Sequence, residues 1–226
     1  MTRPYITYNG KMSSSLGLTV TKIERPAPQK RLVRTEIPYS NYTPDFSRIT
    51  GWYIYKRRVL KYHFVCKAST EALLAALIES VEEWLSEAPS GDLTESLNTD
   101  FYYADCTCDS LDIAYISPTT ARITASFTAY PYRRSAATQE QSFSVVPTMT
   151  AFTYTLSGTK PLRPFFTSTA SERIYFKYSD TVYLIPPNVT RYQLTPVVFT
   201  PGSNAFQART TVSPTTLKVE CINEVI

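Results

Sequence analysis

Ala121-Arg122-Ile123-Thr124-Ala125-Ser126-Phe127-Thr128-Ala129 alternates small or apolar residues with polar ones without a break. A period of two belongs to a half-buried β-strand, because successive side chains of a strand point to opposite faces. Upstream, Phe101 to Cys108 and Leu111 to Ile116 read as further strands, with Ser117-Pro118-Thr119-Thr120 as the turn into the alternating run. Downstream, Tyr130-Pro131-Tyr132-Arg133-Arg134-Ser135 closes the block, and the small polar residues 136–142, without periodicity, read as a linker.

The same β character extends to the N-terminus. Tyr5 to Tyr8 and Leu16 to Ile23 flank a turn at Asn9-Gly10-Lys11. Lys30 to Pro38 and Trp52 to Cys66 form a plausible long antiparallel pair joined by polar residues from Ser40 to Gly51. One helix interrupts the strands. Ser69 is positioned to cap it, and Leu73, Leu74, Leu77, Ile78, Val81, Trp84 and Leu85 recur at spacings of three and four, which makes them a core-facing stripe. Pro89 and Gly91 end it, and its other face carries Glu79, Glu82, Glu83 and Glu87. After residue 142, short β-rich runs recur between Pro, Gly, Asn and Ser turns, the pattern of a β-sandwich. These runs are Met149 to Leu156, Arg173 to Phe176, Thr181 to Ile185, Tyr192 to Phe199, Phe206 to Val212 and Leu217 to Ile222. The expectation is a mainly β protein with one helix: domain 1–135, linker 136–142 and domain 143–226.

Composition agrees. With 226 residues, 43% hydrophobic and 19% charged, the chain can bury a real core and is neither disordered nor coiled-coil. Seventeen Tyr, 11 Phe and 16 Pro against six Gly favour strands and turns. No apolar run is long enough to cross a bilayer, and no apolar segment follows Met1-Thr2-Arg3-Pro4-Tyr5 as a secretory signal requires. Cytosolic synthesis and reduced thiols are therefore expected of the four cysteines.

The net charge of +4 hides two opposed blocks. Up to Thr70, thirteen basic residues face three acids, whereas Glu71 to Asp112 holds eleven acids and no Lys or Arg. Such blocks could be solvated faces, neighbouring faces of one domain, or complementary surfaces of adjacent subunits.

Catalytic patterns are missing. The single histidine, His63, lies in a strand run with no nucleophile elbow anywhere in the chain. His63-x-x-Cys66 and Cys106-x-Cys108 lack structural-zinc spacings and read as buried thiols. No Gly-rich phosphate loop is present. Carboxylates abound, but on the outer face of an amphipathic helix, so no catalytic, cofactor or metal residues are assigned. The basic, aromatic region from Lys30 to Lys67 suits passing backbone contact with nucleic acid, without sequence readout.

Several short stretches, taken in order, resemble the distal tail (Dit) proteins of long-tailed phages, especially those infecting Gram-positive bacteria. They begin with Ile6-Thr7-Tyr8-Asn9-Gly10-Lys11, Ser14, Leu16-Gly17-Leu18 and Val20 to Pro26. Tyr42 to Asp45, Gly51-Trp52-Tyr53, Val59 to Val65, the helix, Asp100 to Ala104 and Phe127 to Tyr132 follow in the family's order. Val146-Pro147-Thr148, Thr153 to Gly158 and Pro201 to Asn204 are looser echoes. Ile37 to Asn41 and the C-terminal Val219 to Ile222 depart from the family pattern.

The resemblance implies a virion structural protein at the tail tip. Its N-terminal domain would be a β-sandwich or split barrel with one helix and an extended hairpin, and its C-terminal domain a galectin-like β-sandwich. It also implies a homo-hexameric ring between the tail tube protein and the tail-tip, tail-associated lysin and receptor-binding proteins. That ring would surround a channel for non-specific DNA passage, with no membrane and no cofactor. Lys30, Arg31, Arg34, Trp52, Tyr53, Arg57 and Arg58 of one subunit are then the candidates to meet Glu79, Glu82, Glu83 and Glu87 of the next. The alternative function is recognition of a host cell-surface saccharide by the C-terminal domain, with Tyr175, Tyr178, Tyr183 and Tyr192 stacking on sugar faces.

Overall fold

The computed structural model describes residues 3–34, 47, 53–86, 90–158 and 160–225. The chain divides into two units, with the break between Arg133 and Arg134.

In the first unit β1 (Ile6–Tyr8) and β2 (Lys11–Met12) form a two-residue hairpin. Asn9 and Gly10 both have positive φ, 51° and 80°, the type I′ geometry that matches strand twist and that Asn-Gly adopts most readily. A 3-10 turn, Ser13–Leu16, leads to β3 (Thr19–Glu24). Then come β4 (Arg58–Lys67), α1 (Glu71–Ser86), β5 (Gly91–Glu95), β6 (Asn98–Ser117) and β7 (Thr120–Ala129). The order β2-β1-β5-β6-β7-β4-β3 runs from end to end without closing, so this is an open sheet rather than a split barrel.

The runs expected as two strands, Phe101 to Cys108 and Leu111 to Ile116, are one 20-residue strand, β6. Its first half pairs with β5 and its second with β7. Asp105, at φ 53°, sits where the register shifts, so a break in pattern that reads as a turn is a bulge that bends a continuous strand.

Alternation does set the core. Leu60, Tyr62, Phe64 and Cys66 of β4 lie opposite Phe127, Ala125, Ile123 and Ala121 of β7, and all eight are fully buried. Helix α1 lays Leu74, Ile78, Val81, Trp84 and Leu85 on this core, with Leu77 packed partly against it. Leu73, expected in the stripe, is 55% exposed. The cap is Thr70 and not Ser69: the Thr70 hydroxyl accepts the Leu73 N–H at 3.3 Å, as an N-cap side chain does for the third helical residue. The Pro89 stop lies outside the described residues.

A short strand, β8 (Arg133–Ser135), falls at the boundary and pairs with the last one, β17 (Glu224–Val225). Between them run β9 (Gln139–Val145), β10 (Thr150–Leu156), β11 (Phe165–Ser168), β12 (Ile174–Tyr178), β13 (Thr181–Ile185), β14 (Val189–Gln193), β15 (Gly202–Arg209) and β16 (Thr215–Cys221). Residues 139–142, expected as linker, are therefore strand, paired along β16. They look irregular because they are mostly exposed, and the first inward apolar residue of β9 is Phe143.

Two antiparallel four-stranded sheets, β10-β15-β12-β13 and β14-β11-β16-β9, enclose a core built on Phe143, Phe166, Phe176, Phe199 and Phe206. Phe176 lies 4.9 Å from both Phe166 and Phe206, centroid to centroid. Buried Asn204 fastens the turn into β15. Its amide oxygen accepts the Thr200 N–H at 2.8 Å and its nitrogen donates to the carbonyls of Thr200 and Gly202.

Candidate interaction surfaces

The basic segment leaves β3 at Arg25 and returns into β4 at Arg58. Its two arms run antiparallel at the base: Arg31 N–H donates to the Ile54 carbonyl at 2.7 Å, Lys56 N–H donates to Gln29 at 2.8 Å, and Lys30 bridges Tyr55. The Lys30 ammonium lies 4.1 Å over the Tyr53 ring, a cation–π contact between two of the expected interface residues. Arg31 and Arg34 are exposed. Trp52 and the tip of the expected hairpin lie outside the described residues.

The adjacent arginines part company. Arg57 is exposed and pairs with Asp105 at 2.8 Å. Arg58 is only 6% exposed, so it is not a surface contact residue. Parity is the reason: it shares the inward face of β4 with Leu60, Tyr62, Phe64 and Cys66. Its Nη2 donates to the Pro26 carbonyl at 3.0 Å and its guanidinium lies over the Tyr103 ring, while Nε and Nη1 have no partner among the described residues. Burial depresses its pKa. Nearby, the buried Glu95 carboxylate accepts the Tyr62 hydroxyl at 2.6 Å and pairs with Arg25 at 3.0 Å. Burial, then the Glu95 charge, holds the Tyr62 phenol protonated. The Arg25–Glu95 and Arg57–Asp105 pairs join the basic block to the acidic one inside the unit, so part of the charge split is neutralised within the chain.

The helix face is different. Glu79, Glu82 and Glu83 are exposed and form no ion pair with any described residue. Glu87 lies outside the described residues.

In the second unit, three of the four tyrosines expected to meet sugar pack inward. Tyr178 stacks on Phe176 and Phe199 and donates to the Val198 carbonyl at 2.9 Å; Tyr183 and Tyr192 pack against the same core. Each shares the inward parity of its strand, with Phe176, Ile185 or, across β11, Phe166. Only Tyr175 faces outward, and Arg209 sits over its ring at 4.7 Å. The β15–β16 loop is held by one carboxylate: Glu172 accepts the N–H groups of Thr211, Val212 and Ser213 at 3.1, 2.9 and 3.0 Å. These donors, Ser213 foremost, hold the Glu172 carboxyl below the usual carboxylate range. A depressed folded pKa stabilises above the ordinary carboxylate pKa, and that contribution is lost as pH falls through the folded value. Amide protection at Thr211 to Ser213 is therefore expected to fall on acidification below about pH 4, and to be low at neutral pH in Glu172→Gln. Protection factors unchanged in both cases would refute the clamp.

No catalytic constellation gathers among the described residues. His63 is held between Glu24 and Thr124, each at 3.1 Å, and ties β3 to β4 and β7. Cys66, Cys106 and Cys221 are buried. Burial pushes the Cys106 thiol up to about 12 and those of Cys108 and Cys221 up to about 11, so they are protonated and inert at neutral pH. No group of three or more His, Cys, Asp or Glu side chains is placed to hold a metal, and no helix is long and apolar enough to cross a membrane, among the described residues.

No protein-family model matches the chain, and no curated protein matches its sequence. Among solved structures it is similar to the Dit protein of phage SPP1, described as a paradigm of the hub adsorption apparatus in phages that infect Gram-positive bacteria. The TM-score is 0.71 at 13% identity, over 100% of both chains. A chain of the phage P2 baseplate, in its activated conformation with Ca, aligns over 96% of this chain and 98% of its own, with TM-score 0.46 and 8% identity. The chain thus has the Dit fold along its whole length, both units included.

Proposed function

We propose that this protein is a structural component of a phage tail hub. It assembles as a homo-hexameric ring at the virion tail tip, joins the tail tube to the tail-tip and receptor-binding proteins, and surrounds the channel through which DNA leaves. The observation that carries the proposal is the similarity of fold to the SPP1 hub protein over the full length of both chains. Surface charge supports it. The helix face Glu79, Glu82 and Glu83 has no counter-charge among the described residues, and Arg31 stands exposed at the base of the basic segment. Surfaces of opposite sign on one subunit suit a head-to-tail contact, which closes into a ring when the rotation between subunits divides the circle. Because each neutralised phosphate adds affinity, weak contacts suit a channel that DNA must leave.

The test is negative-stain microscopy of the full chain, alone and with tail tube protein, classified without imposed symmetry. Six-fold rings with a central hole are expected. Compact monomers under both conditions would overturn the ring.

A further inference from the structure

Glu95 has two carboxylate oxygens, and both are taken. Oε1 accepts the Tyr62 hydroxyl at 2.6 Å, and Oε2 lies 3.0 Å from Arg25 Nη2. Arg58, which donates to the carbonyl of Pro26 beside Arg25 and lies over the Tyr103 ring, is the guanidinium left over. It is the more deeply buried of the two, yet its Nε and Nη1 have no acceptor among the described residues, while Arg25, with a side chain 35% exposed, holds the carboxylate. Polar economy favours the reverse: an exposed guanidinium can hydrogen-bond to water, and a buried one cannot.

We infer that Arg25 and Arg58 are alternative partners for the buried Glu95 carboxylate, and that exchange between them releases the root of the basic segment. In the arrangement seen here, two tethers hold that root: Arg25 to Glu95, and Arg58 Nη2 to the Pro26 carbonyl. If Arg25 swings outward, to water or to a partner's acidic group, Arg58 can turn onto Oε2 and let go of Pro26. One exchange then undoes both tethers and loosens the antiparallel base, where Arg31 and Lys56 donate to Ile54 and Gln29. The inference concerns the N-terminal unit and stands independently of the ring.

The experiment is a double-mutant cycle on the full chain, read by thermal unfolding and by amide exchange at Arg31 and Lys56. Arg25→Met is expected to lower Tm by no more than about 3 °C, because Arg58 replaces it, and to speed exchange at both amides. Arg58→Met removes the Pro26 tether but also the competitor for Glu95, so it is expected to stay within the same window and to speed exchange at both amides less than Arg25→Met does. The double variant leaves Glu95 with Tyr62 alone, and its loss should exceed the sum of the single losses by about 5 °C or more. Additive losses, or Arg25→Met as damaging as the double variant, would overturn the inference. If the double variant does not fold, exchange decides: unchanged protection at Arg31 and Lys56 in Arg25→Met is the refuting result.

Discussion

Trp84→Ala is expected to remove about 3–5 kcal/mol from the N-terminal unit, a large share of the roughly 5–15 kcal/mol that holds a typical domain folded. Trp84 is the bolt between helix and sheet. It is 7% exposed, its ring centroid lies 6.3 Å from that of Tyr8, and its indole N–H donates to the Tyr8 carbonyl at 3.1 Å. Truncation leaves a cavity under the last turns of α1 and removes a donor to the short strand β1. The Tyr8 ring also packs edge-on against Phe127, 5.1 Å away, so the cavity reaches the centre of the core. Trp84→Phe keeps most of the apolar area and loses chiefly the hydrogen bond, about 1–2 kcal/mol. Urea unfolding followed by the helical signal in far-ultraviolet circular dichroism checks both variants, because α1 is the one α-helix among the described residues and belongs to the N-terminal unit. Equal midpoints for Trp84→Ala and wild type would mean that α1 is not held as described.

Much of this architecture was legible in the sequence because parity and spacing encode burial directly. Ala121 to Ala129 is one strand with one buried face, Asn9-Gly10 is the turn its residues demand, and the Leu, Ile, Val and Trp stripe from Leu74 to Leu85 lies on the core. The errors fall where two local readings compete. Ser69 and Thr70 are adjacent hydroxyl residues, and only the first turn of the folded helix shows which of them caps it. Residues 139–142 carry no alternation because that part of β9 is exposed on both faces, so a strand looked like a linker.

The candidate surfaces are less legible in the sequence, because residue type and strand position point to different faces. Its charge points Arg58 to the surface, but a period of two places it in phase with Leu60 and Tyr62. Glu95 carries a charge yet follows Leu93 with the same inward parity. Tyr178 and Tyr183 suit sugar by residue type but share inward faces with Phe176 and Ile185. In each case the alternation that located the strands also contained the answer. The acidic helix face, by contrast, was readable, because in a helix flanked by one core stripe everything else is solvent-facing.

Reversing that face is expected to abolish assembly while leaving the subunit intact. Glu79, Glu82 and Glu83 touch no counter-charge within the described chain, so the triple Lys variant loses no intramolecular ion pair. Glu82 and Glu83 lie in the last turns of a helix that ends at Ser86, where the negative end of the macrodipole favours cations. Subunit stability should therefore hold or rise by a few tenths of a kcal/mol. Assembly should move the other way. Each reversed charge turns an attraction across the subunit contact into a repulsion of similar size, and three such changes at about 1 kcal/mol each raise the concentration for half-assembly about a hundredfold. The effect should shrink as salt is raised towards 1 M, where the Debye length falls to about 3 Å. Reversal of the opposing partner, Arg31→Glu with the triple variant, should restore part of the loss. Sedimentation across a salt series measures both variants and the wild type against one unfolding curve each. Loss of assembly with an unchanged melt places the contact on the helix, assembly unchanged at low salt removes the helix from it, and loss of both would mean that the face is structural.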